Sequence, residues 1–325
     1  MKLRDGMEYW KISLNNLEPI ADEYYFSDEF IIDDEDLIQK IERLRELIIT
    51  YCVLLEKEQT TIKEEFKNSI ESIFQEISFL INNIDKIQYN EFVAFWKVLD
   101  VSYSVFTSLQ TKEDVLREIL SNYCKRRRKQ YDKLGYSNIT VQAMYDNGAS
   151  RRKGGTANTK LIDLINEYLD NPPHVRTLNE LQLNYIAYCL PDSGDKSLFE
   201  EFKEKNNIEY DYGKRNQEKI FDILLKVGNN YFFIEAKHMK EGGGAQNKQV
   251  AEIIDFISYS EKNDNIHYLT FMDGVYFNRF SKEISEGTKT HKQKLDIEKY
   301  LLQNKSNYFI NTAGLREIFT DLREI

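Results

Sequence analysis

Apolar residues recur at helical spacing through roughly the first third of the chain, and from residue 219 onward they gather into short continuous runs. Residues 35–58 place Leu37, Ile41, Leu44, Ile48, Ile49, Val53 and Leu54 on one stripe, and 60–83 repeat it with Ile62, Phe66, Ile70, Ile73, Phe74, Ile77 and Leu80. Two further helices are expected over 90–109 and 112–130, and no proline interrupts the chain between Pro19 and Pro172. Stripes of this kind bury one face in a helical bundle and suggest no chemistry. The texture changes near residue 146. DNGASRRKGGTANTK is polar and glycine-containing, and LIDLINEYLDN reads as a short amphipathic helix closed by Pro172-Pro173. Residues 177–212 read as a helix, a loop and a polar strand or linker. The pattern then predicts two strands over 219–238 joined at Gly228-Asn229-Asn230, a helix over 246–262 and a strand in HYLTFMDGVYF interrupted at Asp273-Gly274. A helix over 292–303, a strand at NYFIN and a last helix capped by Thr312 follow. This order predicts an α/β chain with a helical domain at 1–145 and a second domain at 146–325.

The strand pair 219–238, KIFDILLKVGNNYFFIEAKH, carries three charges in an apolar setting. Asp222 stands between Phe221 and Ile223, and Glu235 and Lys237 follow Tyr231-Phe232-Phe233-Ile234. Alternation along a strand sends Glu235 and Lys237 to one face and Ala236 to the other. Near-continuous apolar runs mark strands buried on both faces, where unpaired charges are costly unless they pair or bind a metal. Two carboxylates beside a lysine suit a divalent cation and a reaction at phosphate. Glu-x-Lys also occurs at Glu65–Lys67 and Glu201–Lys203, but in polar, helix-like stretches. The ordinary alternative is an edge hairpin whose charges face water.

An Asp, twelve intervening residues and Glu-Ala-Lys on two turn-linked apolar strands resemble the PD-(D/E)xK nuclease superfamily, and within it a type II restriction endonuclease. Asp222 matches the first metal-binding acid, Glu235 the second and Lys237 the catalytic lysine; Phe221 stands where the name-giving motif has proline. The resemblance implies a restriction-endonuclease-like core, a mixed β-sheet flanked by helices, here behind an all-α N-terminal domain. It implies Mg²⁺ held by Asp222, Glu235 and the Ala236 carbonyl, and sequence-specific hydrolysis of double-stranded DNA by a homodimer. A cognate DNA methyltransferase would belong to the same system without being a stable partner. An additional acid is expected on the helix after residue 160, where Asp163 and Glu167 share a face and Glu167 is the preferred candidate. Gln246, Asn247, Lys248 and Gln249 follow a glycine-rich loop and either contact DNA or simply begin a helix. GGGAQNK lacks the Gly-Lys-Ser/Thr ending of a phosphate-binding loop. The alternatives are a structure-specific, repair or recombination nuclease of the same fold, and a catalytically inactive DNA-binding protein.

Charge changes the picture only when mapped. The formal net charge is −10, yet residues 121–160 hold 10 Lys/Arg against 2 Asp, while residues 1–120 hold 13 Lys/Arg against 25 Asp/Glu. Local phosphate neutralisation matters more for nucleic-acid affinity than total charge, so this block, with Arg151, Arg152 and Lys153 before Gly154-Gly155, is the expected DNA grip. Residues 1–120 are expected to carry no catalysis. Cys52, Cys124 and Cys189 are odd in number and widely spaced, which argues against a disulfide framework or zinc site, and the four histidines show no ligand spacing. Without a membrane-length apolar run or the apolar core of a secretory signal, a cytoplasmic protein is expected.

Overall fold

The computed structural model describes residues 3–20, 22–25, 31–58, 64–99, 101–147, 156–239, 244–281 and 284–324. The chain forms two units: residues 1–26 together with 152–325, and residues 27–151. A boundary was expected near 145; the units divide at 151, and the first 26 residues group with residues 152–325. Their helix α1 (Gly6–Asn15) explains why. It is opened by a reciprocal Asp5–Glu8 capping box, and its Tyr9 and Trp10 are fully buried. Tyr9 meets Tyr308 edge-on at 5.5 Å, and Trp10 meets Phe309 at 5.7 Å.

Within residues 27–151 the described elements are helical: α2 (Glu35–Glu58), α3 (Glu64–Asn83), α4 (Glu91–Trp96), α5 (Tyr103–Ser108), α6 (Lys112–Arg126), α7 (Arg128–Leu134) and α8 (Asn138–Asn147). The stripe of α2 lands as expected, with Leu37, Ile41, Leu44 and Ile48 in one cluster with Phe74 and Ile77 of α3. The helix expected over 90–109 is instead two short ones, because Asn90 and Ser102 each cap a new start by accepting from Val93 N–H and Val105 N–H. Cys52 and Cys124 form a disulfide across 72 residues, with Cα atoms 5.3 Å apart. The cysteine spacing argued against such a bond; the packing of α2 on α6 brings together residues that the linear sequence holds apart.

The other unit continues with α9 (Thr156–Tyr168), α10 (Leu178–Leu183), β1 (Ile186–Cys189), α11 (Lys196–Asn206), α12 (Asp211–Arg215), β2 (Ile223–Val227) and β3 (Asn230–His238). Then come α13 (Gly244–Phe256), β4 (Ile266–Asp273), α14 (Lys289–Gln303), β5 (Tyr308–Ile310) and α15 (Thr312–Arg323). The strands form one mixed sheet in the order β1-β2-β3-β4-β5. β1, β2 and β3 run antiparallel, and β4 and β5 then run parallel to β3. The β2–β3 hairpin turns on Gly228-Asn229, with Gly228 at φ +59 and Val227 paired to Asn230; a two-residue loop of this kind matches the twist of its strands. Ile223, Leu225, Ile234 and Phe271 face the α9 and α15 side, and Leu224, Phe233 and Tyr268 face the α11 side. β2 and β4 are buried along their whole length, as their continuous apolar runs required. The last helix is capped by Asn311, whose side chain accepts from Gly314 N–H, and not by Thr312. Among the described residues no helix is long and apolar enough to cross a membrane.

Candidate functional site

The hairpin delivers its charges to the place where β2 has not yet begun. Ile223 pairs with Ile234, so Asp222, one residue before β2, lies across from Glu235. Without a strand partner there, the Ala236 N–H is taken by Asp222 Oδ2 at 2.8 Å. The other oxygen of Asp222 accepts from Asn158 Nδ2 of α9 at 3.0 Å. In an antiparallel pair a residue's N–H and C=O point the same way, so the Ala236 carbonyl projects toward Asp222 as well.

Glu235 is 1% exposed. Its Oε1 takes both Lys237 Nζ at 2.9 Å and Lys219 Nζ at 2.7 Å, and Lys219 also pairs with Glu252 of α13. Glu235 Oε2 is buried with no hydrogen-bond partner among the described residues. Burial pushes the Glu235 carboxyl above its usual range and the Asp222 charge adds to the push, while Lys237 and Lys219 oppose both. Burial disfavours the Lys237 ammonium, but Glu235 and Asp222 outweigh it and hold its pKa above the usual value. One oxygen of this carboxylate is taken by two ammonium groups, and the other is free to accept a further donor or a cation.

Asp222, Glu235, Ala236 and Lys237 are thus brought together as the sequence suggested. Glu167 is not. It lies nine residues beyond Asn158 on α9, about 13 Å along the helix axis, and it is exposed; Asp163 is exposed too and accepts from Tyr24 Oη at 2.5 Å. The residue of α9 that reaches the site is Asn158. Gln246, Asn247, Lys248 and Gln249 lie in the first turns of α13, the plainer of the two expectations, with Lys248 and Gln249 exposed and Asn247 half-buried. Arg151, Arg152 and Lys153 fall outside the described residues. Of the basic run 125–129, Arg128 is paired with Glu56 and Asp132, whereas Lys125, Arg126 and Lys129 are exposed. Lys219 and Glu252 were not singled out in the sequence. A lysine three residues before Asp222 was visible, but only the turn after α12 aims it at Glu235.

A second charged cluster was also not anticipated. Lys160 Nζ lies 2.7 Å from both Asp22 and Asp273 and 4.0 Å from Glu18. His238 Nδ1 is 2.6 Å from Asp273, and Tyr25 Oη donates to the same carboxylate. Burial would raise Asp273, but the hydrogen bonds of His238 and Lys160, with the Lys160 charge, hold it at about 2. Burial and the Asp273 charge push Glu18 upward. The three acids place oxygens within 4.8 Å of one another, and the Lys160 ammonium already occupies the cationic position among them. A cavity of about 200 Å³ opens beside the cluster, lined by Asp22, Tyr24, Asp163, Glu167 and Arg316. Chemically this is a clasp tying Glu18, Asp22 and Tyr25 to α9 and to the ends of β3 and β4.

Comparison with family models, with curated proteins and with solved structures found no match to this chain.

Proposed function

We propose that this chain is a Mg²⁺-dependent endonuclease of the PD-(D/E)xK type that hydrolyses double-stranded DNA at specific sequences, as type II restriction enzymes do. The carrying observation is the bare Glu235 Oε2 beside an Asp222 fixed to the Ala236 backbone, with Lys237 at 2.9 Å from the same carboxylate. The antiparallel-to-parallel sheet, with β4 reached from β3 through α13, supports a restriction-endonuclease-like core. The donor set fits a hard divalent ion, since Asp222, Glu235 and the Ala236 carbonyl are all oxygen ligands. A bound Mg²⁺ would polarise the scissile phosphate and acidify its water. Lys237 would stabilise charge developing on the phosphoryl oxygens and orient the attacking water, and Asn158 would fix the Asp222 carboxylate. A palindromic target calls for a two-fold homodimer, and host protection calls for a DNA methyltransferase encoded nearby. A DNA substrate would be met in the cytoplasm.

The test is digestion of mixed-sequence plasmid with Mg²⁺. Wild type is expected to give discrete bands and to stop on addition of EDTA. Asp222→Ala, Glu235→Ala and Lys237→Ala should each cut activity by roughly a hundredfold or more, non-additively because the groups act as one unit. A smear would point to a repair or recombination nuclease, and binding without cutting to an inactive DNA-binding protein. Cleavage that persists in EDTA or in the Asp222 and Glu235 variants would remove the assignment.

A further inference from the structure

Lys219 has no part in the proposed chemistry, yet the fold places it with care. It follows Gln217 and Glu218, two successive non-glycine residues at φ 55 and φ 60, a conformation that persists only where surrounding structure imposes it. The turn is pinned by Glu218 N–H to the Gly213 carbonyl at 2.9 Å and by Lys219 N–H to the Asn216 carbonyl at 3.1 Å. The ammonium so positioned bridges Glu235 on β3 and Glu252 on α13. Asp222, Glu235 and Glu252 supply three negative charges, and Lys219 and Lys237 supply two positive ones. Without the Lys219 ammonium the imbalance would be two negative charges, which one divalent ion would neutralise.

We propose that Lys219 is a resident counter-ion of the metal-free site, holding Glu235 until a divalent cation arrives and then resting on Glu252 alone. This inference rests on the reading of the site as a divalent-metal centre. Glu235 is nearly inaccessible, and leaving it with a single ammonium would be costly before the metal binds. Glu252 is one-third exposed, so it can keep Lys219 at the rim of the site with little desolvation. Lys219 thereby competes with the metal, and Glu252 eases the competition by giving the displaced ammonium a partner. Lys237 differs in kind, since the carboxylates that act on it, Glu235 and Asp222, are themselves the proposed metal ligands, and it stays beside Glu235 for catalysis.

The test is calorimetric titration of the full chain, stripped of metal, with Mn²⁺, in the absence of DNA. Lys219→Met should bind Mn²⁺ roughly tenfold more tightly than wild type, because a like charge has been removed from the site. Lys219→Gln keeps a polar donor without the charge and should do the same where the methionine variant fails to fold. Glu252→Gln should weaken binding in the wild-type background and have no effect in the Lys219→Met background, since Glu252 acts through Lys219. Unchanged or weaker Mn²⁺ binding in a folded charge-neutral Lys219 variant overturns the inference while leaving the metal site standing. A wild type that binds no Mn²⁺ overturns the metal site itself, and this inference with it.

Discussion

Single buried polar groups do unlike work in this sheet, and their surroundings decide which. Glu235 keeps a bare oxygen beside two ammonium groups, whereas both ring nitrogens of the buried His267 face polar neighbours. Its Nδ1 lies 3.0 Å from the Ser306 carbonyl and its Nε2 faces the Asn230 side chain at 3.1 Å, between the rings of Phe232 and Tyr308. Burial lowers its pKa to about 4, against the partial compensation of the Ser306 carbonyl. The unfolded chain, with a histidine near 6.5, therefore binds more protons between those two values. The stability tied to a neutral His267 is fully present above pH 6.5 and is lost as pH falls through 4. Urea unfolding at pH 7 and pH 4.5 should show wild type losing roughly 2–3 kcal/mol more than His267→Gln over that interval. Carboxylates with raised values, such as Glu18 and Glu235, act in the opposite sense but are common to both proteins. Equal losses in the two would mean that His267 becomes protonated in the folded state at no cost.

At the scale of elements, α1 shows how closely backbone can approach backbone when a glycine allows it. Gly6 N–H donates to the Lys305 carbonyl at 2.8 Å, and a Cβ built on Gly6 would overlap the Asn307 carbonyl oxygen. Gly6→Ala should therefore push α1 off β5 and cost about 1–3 kcal/mol, read as a lower urea midpoint with an unchanged slope. A variant as stable as its parent would mean that α1 can shift without loss. Why some elements were legible in the sequence follows from the same physics. The β2–β3 hairpin announced itself, because two largely buried apolar runs around a glycine turn have few other readings, and its three charges stood out against them. β1 was hidden: Ile186–Cys189 is four residues long, and YIAYC offers too short a run to separate strand from loop. α1 was missed as part of the sheet unit, because its amphipathic pattern says that it packs but not against what. Lys219 and Glu252 were silent for a related reason. Their meaning arises from a turn at positive φ and from a helix register, neither of which is encoded by spacing along the chain.

The order of the two units along the chain carries the last consequence. The sheet unit is discontinuous in sequence, opened by residues 1–26 and completed by 152–325, with residues 27–151 between them. The helical unit's hydrophobic cluster draws on Ile31 through Tyr145 and is supplied within that segment. The sheet unit's clusters instead take Tyr9 and Trp10 from the first segment and the remainder from beyond residue 156. The first segment also contributes Arg4, bound to Asp321 and Glu317 of α15, and Asp22 on the Lys160 clasp. Residues 27–151 produced alone should therefore give a helical circular dichroism spectrum and a cooperative thermal transition. Residues 152–325 alone should not melt cooperatively, because Lys160 and Asp273 would lose the Asp22 and Tyr25 contacts, and β5 would lose the aromatic cover of α1. Adding residues 1–26 back in the intact chain should restore a cooperative transition for the sheet, and with it any Mn²⁺ binding at Asp222 and Glu235. A cooperative transition from 152–325 alone would mean that the N-terminal segment decorates a core already complete without it.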